Sequence, residues 1–253
     1  MSDSSQRAQT MRSLERALEV LGVLEESRKP LRLTDVARQS GLHIATAQRI
    51  LAVLERFGYV TQERGGYAMG VTALANAHAY LVTSTMPQVA GPVLNDLAEA
   101  TGLTASISVP VDLKRVLIAR VDGASPLRYQ LPVGQRLPIH VGTGRVVAAY
   151  LPEEQLRQLI DEVVPFAMAS GEVLDEARFR QTLDEVRARG YATSRSERVP
   201  GAASVGAPVL DSDGKLIALL QVSGHVENVD QTQIGRYVDE LARAAMAIKH
   251  MLP

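Results

Sequence analysis

The stretch LTDVARQSGLHIATAQRILAVLERFGYV, residues 33–60, decides the reading of this chain. A short helical pattern places Val36 and Ala37 inward, and Gly41 follows four residues after Ala37. A small residue at Ala37 lets a second helix approach closely, and Gly41 can take the positive φ of a sharp inter-helix turn. The second helix carries Ala47, Ile50, Leu51, Leu54 and Phe57 on one face, with Gly58 as its stop. Packing accounts for that face. It does not account for His43, Ala45, Thr46, Gln48 and Arg49 on the other.

Working outward, Leu14, Ala17, Leu18, Leu21 and Leu24 fall at steps of three and four, one stripe of a helix for which Ser13 is the expected N-cap. Pro30 closes that helix, and Thr34 is expected to cap the next. Downstream, YVTQERGGYAMG reads as two short strands around Gly65 and Gly66. Three helices followed by a glycine hairpin make the pattern of a winged helix-turn-helix. In such motifs the N-terminal end of the second motif helix enters the major groove of DNA. Gln48 then suits adenine and Arg49 guanine, while Thr46 suits a phosphate or a thymine methyl. Arg49 acting on the backbone alone is equally consistent with the sequence. The expected DNA-contacting set is Thr34, His43, Ala45, Thr46, Gln48 and Arg49, with Arg64 at the hairpin tip and Arg12, beside Arg7, on a mobile arm. For Arg7 and Arg12 plain solvation is the competing reading.

Charge agrees with this. Residues 28–66 hold seven basic and three acidic side chains. Residues 1–84 hold ten against eight, net +2, and residues 85–253 seventeen against twenty, net −3. A locally basic module on a mildly acidic body fits a nucleic-acid reader with a separate control domain. The 253 residues suffice for one large domain or two modest ones, and the 46% apolar content is that of a globular protein. No apolar run approaches the roughly 18–20 residues that cross a bilayer. MSDSSQRAQTMRS lacks the apolar centre of a secretion signal, and the absence of cysteine excludes disulfides and thiol chemistry. A cytoplasmic protein is expected.

After an alanine-rich linker helix at 71–84, with Leu74 and Leu81 on its stripe, helical periodicity continues to Gly102. The period then changes. TASISVPV and KRVLIARVDG read as strands joined by a turn at 112–114, and PLRYQLPVGQRLPIH as a further extended stretch. A helical pattern covers 145–160, where Pro152, Glu153 and Glu154 suit a first turn, and another covers 175–190, ending at Gly190. SVGAPVLD and KLIALLQVSG form a strand pair around the turn 212–214, before a last helix with Ile234, Val238, Leu241, Ala245 and Ile248 inward. Helices enclosing an antiparallel sheet make this half an α+β domain.

Catalytic and metal signatures are missing from it. There is no His-Glu-x-x-His, no phosphate loop and no Gly-x-Ser-x-Gly around Ser204, and His43, His78, His140, His225 and His250 lack ligand spacing. DSDGK resembles the start of a calcium loop, but its twelfth position is Val222, so it reads as a hairpin turn. No metal and no cofactor are expected. Instead HVGTGR places Gly142, Thr143 and Gly144 where a helix begins, with backbone N–H groups suited to an anion. GYATSRSERVPGAAS adds Ser194, Arg195, Glu197 and Ser204, and Gln221 and Ser223 share a strand face. These nine residues form the expected pocket for a small organic acid or polar aromatic. The alternative is that Arg195 pairs with Glu197 at the surface and the serines satisfy local backbone.

The order SLERALEVLGVLEE, LTDVARQSGL, TAQRILAVLERFGYV and YAMG, followed by VGQRLPIH, ARGYA and GAPVLDSDGKLIALLQVSG, resembles the IclR-type bacterial transcriptional regulators from about Leu14 to the last helix. The resemblance implies an N-terminal winged helix-turn-helix domain at 10–70, a linker helix at 71–84 and a GAF-like effector-binding and oligomerisation domain at 85–253. It implies double-stranded operator DNA, a small-molecule effector and a homodimer or tetramer as partners, with no membrane. It implies no enzyme activity; the remaining alternatives are an enzyme using Arg195, Glu197 and His140, or a dimeric structural protein with a vestigial pocket. Thr46 and Arg49 match the family's usual residues in the base-reading helix. Ala45 stands where serine is common and His43-Ile44 where Pro-Lys is common, so a phosphate contact or cap is lost. The loop at 141–145 is one residue short of the family's. Ser194 stands for a frequent acid, Ser204 for a frequent cysteine and Gln221 for a serine, whereas Ser223 is retained. These departures imply an effector unlike the glyoxylate or pyruvate associated with some relatives.

Overall fold

The computed structural model describes residues 2–63, 65–124, 131–169 and 171–252, with side chains from Met11 onward. Packing divides the chain into two units, Met1–Thr83 and Ser84–Pro253.

The first unit contains α1 (Ser2–Glu26), α2 (Leu33–Gln39), α3 (Ile44–Arg56), the hairpin β1 (Val60–Glu63) and β2 (Gly66–Met69), and α4 (Thr72–Thr83). Val20, Leu24, Leu31, Val36, Leu51, Leu54 and Val60 form its core. Ala37 and Ala47 are buried where α2 and α3 close on each other. Gly41 sits at φ +64°, and Leu42 N–H donates to Ala37 O at 2.9 Å, which turns the chain from α2 into α3. The hairpin pairs Val60 with Met69 and Glu63 with Gly66. Leu31 adds a one-residue bridge to Tyr67, so the wing is anchored to the segment before α2.

Four expectations change here. Ser13 is not a cap: α1 already runs from Ser2, so position 7 and Arg12 lie in helix rather than on an extended arm. The buried stripe of α1 is Val20 and Leu24, flanked by the half-buried Ala17 and Leu21, while Leu14 and Leu18 are more than half exposed. Thr34 does not cap α2. Arg32 holds that position, its carbonyl accepting from Asp35 and Val36, with no side-chain cap bond. Phe57 is 60% exposed because α3 ends one residue before it; the Arg56 guanidinium lies 5.1 Å from its ring. Thr72 Oγ1 donates to Phe57 O, and Asn76 Nδ2 to the Tyr59 hydroxyl, fixing the start of α4. No residue of α4 is buried, Leu74 and Leu81 included.

In the second unit α5 (Thr85–Thr101) leads into β3 (Thr104–Val111), β4 (Lys114–Val121) and β5 (Arg136–Pro138). A 3-10 turn (Gly142–Gly144), α6 (Arg145–Ala149) and α7 (Glu153–Val163) follow, then the small hairpin β6 (Phe166–Ala167) and β7 (Val173–Leu174). The chain closes with α8 (Glu176–Arg189), β8 (Ala192–Arg195), β9 (Ala202–Leu210), β10 (Leu216–His225) and α9 (Ile234–Met251). Among the described residues one six-stranded antiparallel sheet has the order β5-β4-β3-β10-β9-β8. Ala105, Ile107, Val205, Leu220 and Val222 pack with Val93, Leu94 and Leu97 of α5 and Tyr237, Leu241 and Ile248 of α9. A second cluster gathers Ile139 and Val146 with Leu156, Leu159, Phe179, Leu183 and Leu219.

α8 matches its expected span: Asp175 accepts from Arg178 N–H at the start and Gly190 ends it in the left-handed region. The pattern at 145–160 is two helices, because Tyr150 ends α6 and Pro152 begins α7. The buried positions of α9 are Tyr237, Leu241, Ala244 and Ile248, with Ile234, Val238 and Ala245 at its margins. Only Arg136–Pro138 of the extended stretch at 126–140 forms strand, and 126–130 lie outside the described residues.

Candidate functional site

In the first unit α3 turns Ala47, Leu51 and Leu54 into the core, which leaves His43, Ala45, Gln48 and Arg49 exposed and Thr46 half-buried on the opposite side. No acidic residue occupies its first turn, so the positive end of the helix dipole is not neutralised by its own side chains. Arg49 Nε donates to Ala45 O at 3.3 Å, one turn back. A cleft of about 590 Å³ opens between α1 and α3, walled by Arg12, Ser13, Arg16, Thr46 and Arg49 over an apolar floor that includes Ile50 and Leu54. Arg12 therefore joins Thr46 and Arg49 on one surface, and Arg16 belongs with them. The periodicity of α1 contained that information, since Arg12 and Arg16 are one turn apart. Thr34 is exposed in the first turn of α2 and is not among the cleft residues. Arg64 and the side chain of Arg7 lie outside the described residues.

In the second unit antiparallel pairing assembles a polar sheet face. Thr104, Ser223, Ser204 and Ser194 lie opposite one another across β3, β10, β9 and β8. The adjacent row on the same face is Arg120, Ser106, Gln221 and Gly206. Thr143 lies over Gly206, where a Cβ would sit 2.9 Å from the Thr143 Cβ; only glycine leaves it room. The Thr143 hydroxyl donates to Gln221 Oε1. A small cavity of about 30 Å³ is lined by Thr104, Ser106, Leu117, Arg120, Gln221 and Ser223, enough for a water molecule.

One backbone donor of the expected anion site at 142–144 is taken by the chain itself. Gly142 N–H donates to Glu197 Oε2 at 3.0 Å, and Arg145 Nη2 to Glu197 Oε1 at 2.7 Å and to Thr193 O at 3.0 Å. Gly142 and Gly144 thus serve the backbone, with Ser194 Oγ close against Gly142. Glu197 pairs with Arg145 rather than Arg195, which is exposed and donates to Val226 O at 3.3 Å. Arg195 therefore does not join the polar face.

Thr104, Ser106, Ser108, Arg115 and Arg120 were not singled out from the sequence. The signal was there: Thr104, Ser106 and Ser108 alternate with apolar residues at strand period, so they must share one face. Arg115, in β4, is 4% exposed. Its Nη1 donates to Ser108 Oγ at 3.1 Å and to Gln221 Oε1 at 3.5 Å, while its buried Nε has no hydrogen-bond partner. Burial, and then the nearby charge of Arg198, push its pKa down to about 9.

His140 packs edge-on to Phe166 at 4.8 Å, and Phe166 to Phe179 at 5.7 Å. Burial holds the imidazole below its ordinary value of 6.5. The folded state thus keeps His140 neutral where the unfolded chain binds a proton. Stability should fall as pH drops below 6.5. His140→Gln should flatten that acid slope in thermal melts between pH 7 and 5, and an unaltered slope would remove His140 as its source.

Among the described residues no cluster of three or more His, Asp or Glu could hold a metal, and no helix is long and apolar enough to cross a membrane. Residues 13–64 match the IclR helix-turn-helix domain, and residues 78–250 the C-terminal domain of bacterial IclR transcriptional regulators. The chain is 28% identical over 250 residues to the HTH-type transcriptional regulator XynR of Escherichia coli K12, covering 96% of this chain and 97% of that protein. The crystal structure of an IclR regulator from Alicyclobacillus acidocaldarius superposes with TM-score 0.78 at 25% identity, covering 95% of this chain and 98% of that one. An IclR homologue from Microbacterium hydrocarbonoxydans complexed with 4-hydroxybenzoate shares the fold at TM-score 0.71 and 20% identity, with coverage of 95% and 98%. The matching domains are those of transcriptional regulators, and the Escherichia coli relative is itself named as one. With both domains matched in order along most of its length, the chain belongs to the IclR family of bacterial transcriptional regulators.

Proposed function

We propose that the protein is an effector-controlled regulator of a catabolic operon, reading operator DNA with α3 and sensing a small organic acid or aromatic metabolite on the polar face of the sheet. The observation that carries the reading is the division of α3, with its apolar side committed to the core and Gln48 and Arg49 left in solvent. His43, Ala45 and Thr46 complete the base-facing end, and Arg12 and Arg16 are placed for phosphates. The effector set is Thr143, Ser194, Ser204, Gln221 and Ser223, joined by Thr104, Ser106 and Ser108. The 4-hydroxybenzoate bound by one homologue supports an aromatic acid as one candidate class.

Coupling runs through α4 in this reading, which assigns 10–70 to DNA binding, 71–84 to the linker and 85–253 to effector binding and assembly as a homodimer or tetramer. Only Ser84 separates α4 from α5. An effector that binds one arrangement of two DNA readers more tightly than another shifts operator affinity by that difference. Arg49→Ala should weaken binding to the operator by about 1–3 kcal/mol if a base contact is lost, and should relax preference at one base pair. Unchanged affinity in a fluorescence-anisotropy titration would remove Arg49 from the reading surface.

A further inference from the structure

We propose that the cleft between α1 and α3 is a separate small-molecule site, taking an anion with an apolar body, and that its occupant displaces DNA directly. The binding stands on the cleft alone; the displacement rests on the reading surface proposed for α3. Ser13, Ala17, Val20 and Leu24 follow at steps of four, three and four, so they share one face of α1. Val20 and Leu24 are buried in one cluster with Leu51 and Leu54 of α3. Ser13 and Ala17 are too short to continue that packing, so the two helices stand apart on the N-terminal side of Val20 and leave a cleft of about 590 Å³. A space of that size lies within the roughly 300–1,000 Å³ of ordinary ligand pockets.

The lining has two chemistries. Ala17, Ile50, Val53 and Leu54 make an apolar floor, and Val53 is 48% exposed there. Arg16 stands on the α1 wall and Arg49 on the α3 wall, with Thr46 one turn before Arg49. No acidic side chain is among the lining residues, and among the described residues no carboxylate pairs with Arg16 or Arg49. Arg49 commits only its Nε, to Ala45 O, so its terminal Nη groups remain for a ligand. A bare phosphate would meet the guanidiniums but leave the floor in water. A neutral apolar molecule would cover the floor but leave the charges unanswered. A carboxylate or sulfonate carried on a ring or a short chain does both, joining charge-assisted hydrogen bonds to apolar burial. Such an occupant covers Thr46 and Arg49, two of the residues proposed to face DNA, so the two ligands exclude each other.

The test is hydrogen exchange, read by mass spectrometry on the full-length protein at constant ionic strength, with naphthoate and octanoate against naphthamide and octanamide. At least one acid should slow exchange in α1 and α3, and its amide should not. Val53→Trp, which fills the cleft from an exposed position, should abolish the slowing. Arg16→Gln alters an exposed side chain and so spares the fold; it should raise the half-saturating acid concentration about two- to fivefold, the loss of one solvent-facing ion pair. In anisotropy titrations the apparent Kd for a duplex from upstream of the gene should rise in proportion to acid concentration, without a plateau. Slowing confined to the second unit, or slowing in α1 and α3 that survives both substitutions, would overturn the cleft as a site. Amides equal to acids would overturn the anion. Slowing in α1 and α3 with undiminished duplex binding would keep the site but overturn the displacement, and with it the placing of DNA on this face. No slowing with any compound would overturn the site and leave DNA reading by α3 untouched.

Discussion

Replacing Leu51 by alanine is expected to abolish operator binding while the C-terminal unit stays folded. Leu51 is fully buried among Val20, Leu24, Val36 and Leu54, the side chains that hold α3 against α1 and α2. Removing a buried leucine side chain costs about 2–5 kcal/mol. A unit the size of Met1–Thr83 has little more stability than that to lose. Its transition should therefore drop far below that of the second unit, whose cores share no residue with it. Hydrogen exchange resolves the two: amides of α3 should lose protection and those of β9 and β10 keep theirs. Retained operator affinity would show that α3 is not held by this core.

The second large effect concerns Glu197. Its side chain and that of Arg145 are only 14% and 11% exposed, so the pair is desolvated, and Gly142 N–H depends on the same carboxylate. Glu197→Leu would leave Arg145 buried and uncompensated, at a cost of about 3–5 kcal/mol to the C-terminal unit. The double variant Arg145→Met with Glu197→Leu should recover much of that loss, because no buried charge is then left alone. Chemical denaturation of the three proteins measures both quantities. Had Glu197 been an exposed partner of Arg195, as sequence proximity suggests, its removal would cost at most about 1 kcal/mol.

That contrast shows what the sequence could and could not convey. The strands β3 and β4, the span and stop of α8, and the tight α2–α3 turn were legible because each rests on neighbours in sequence: alternation, helical period and Gly190, Ala37 and Gly41. The inward side of α3 was legible for the same reason. The start of α1 was not, since Ser2 to Arg12 carries no apolar periodicity to mark a helix. Leu14 and Leu18 continue a stripe by spacing, yet the core begins only near Ala17. At the site, Gln221 and Ser223 could be put on one face because they alternate within a strand, whereas Ser194 and Ser204 were read only from a polar stretch. The pairing of Glu197 with Arg145 spans 52 residues, and the meeting of Arg115 with Gln221 spans 106; only the strand order creates them. β8 was missed because its four residues, Ala192–Arg195, are short, polar and followed by a turn-rich segment.

The most direct measurement is a salt-dependent titration of the full-length protein with a labelled duplex from upstream of its own gene and with a scrambled duplex of equal length. Both affinities should fall steeply with salt, since lysine and arginine contacts release counterions. The native duplex should stay tighter by a factor on the order of 10³ or more, as base contacts by α3 require. Equal affinity for the two duplexes, at every salt concentration and in both the presence and absence of benzoate and succinate, would contradict operator reading by the exposed face of α3.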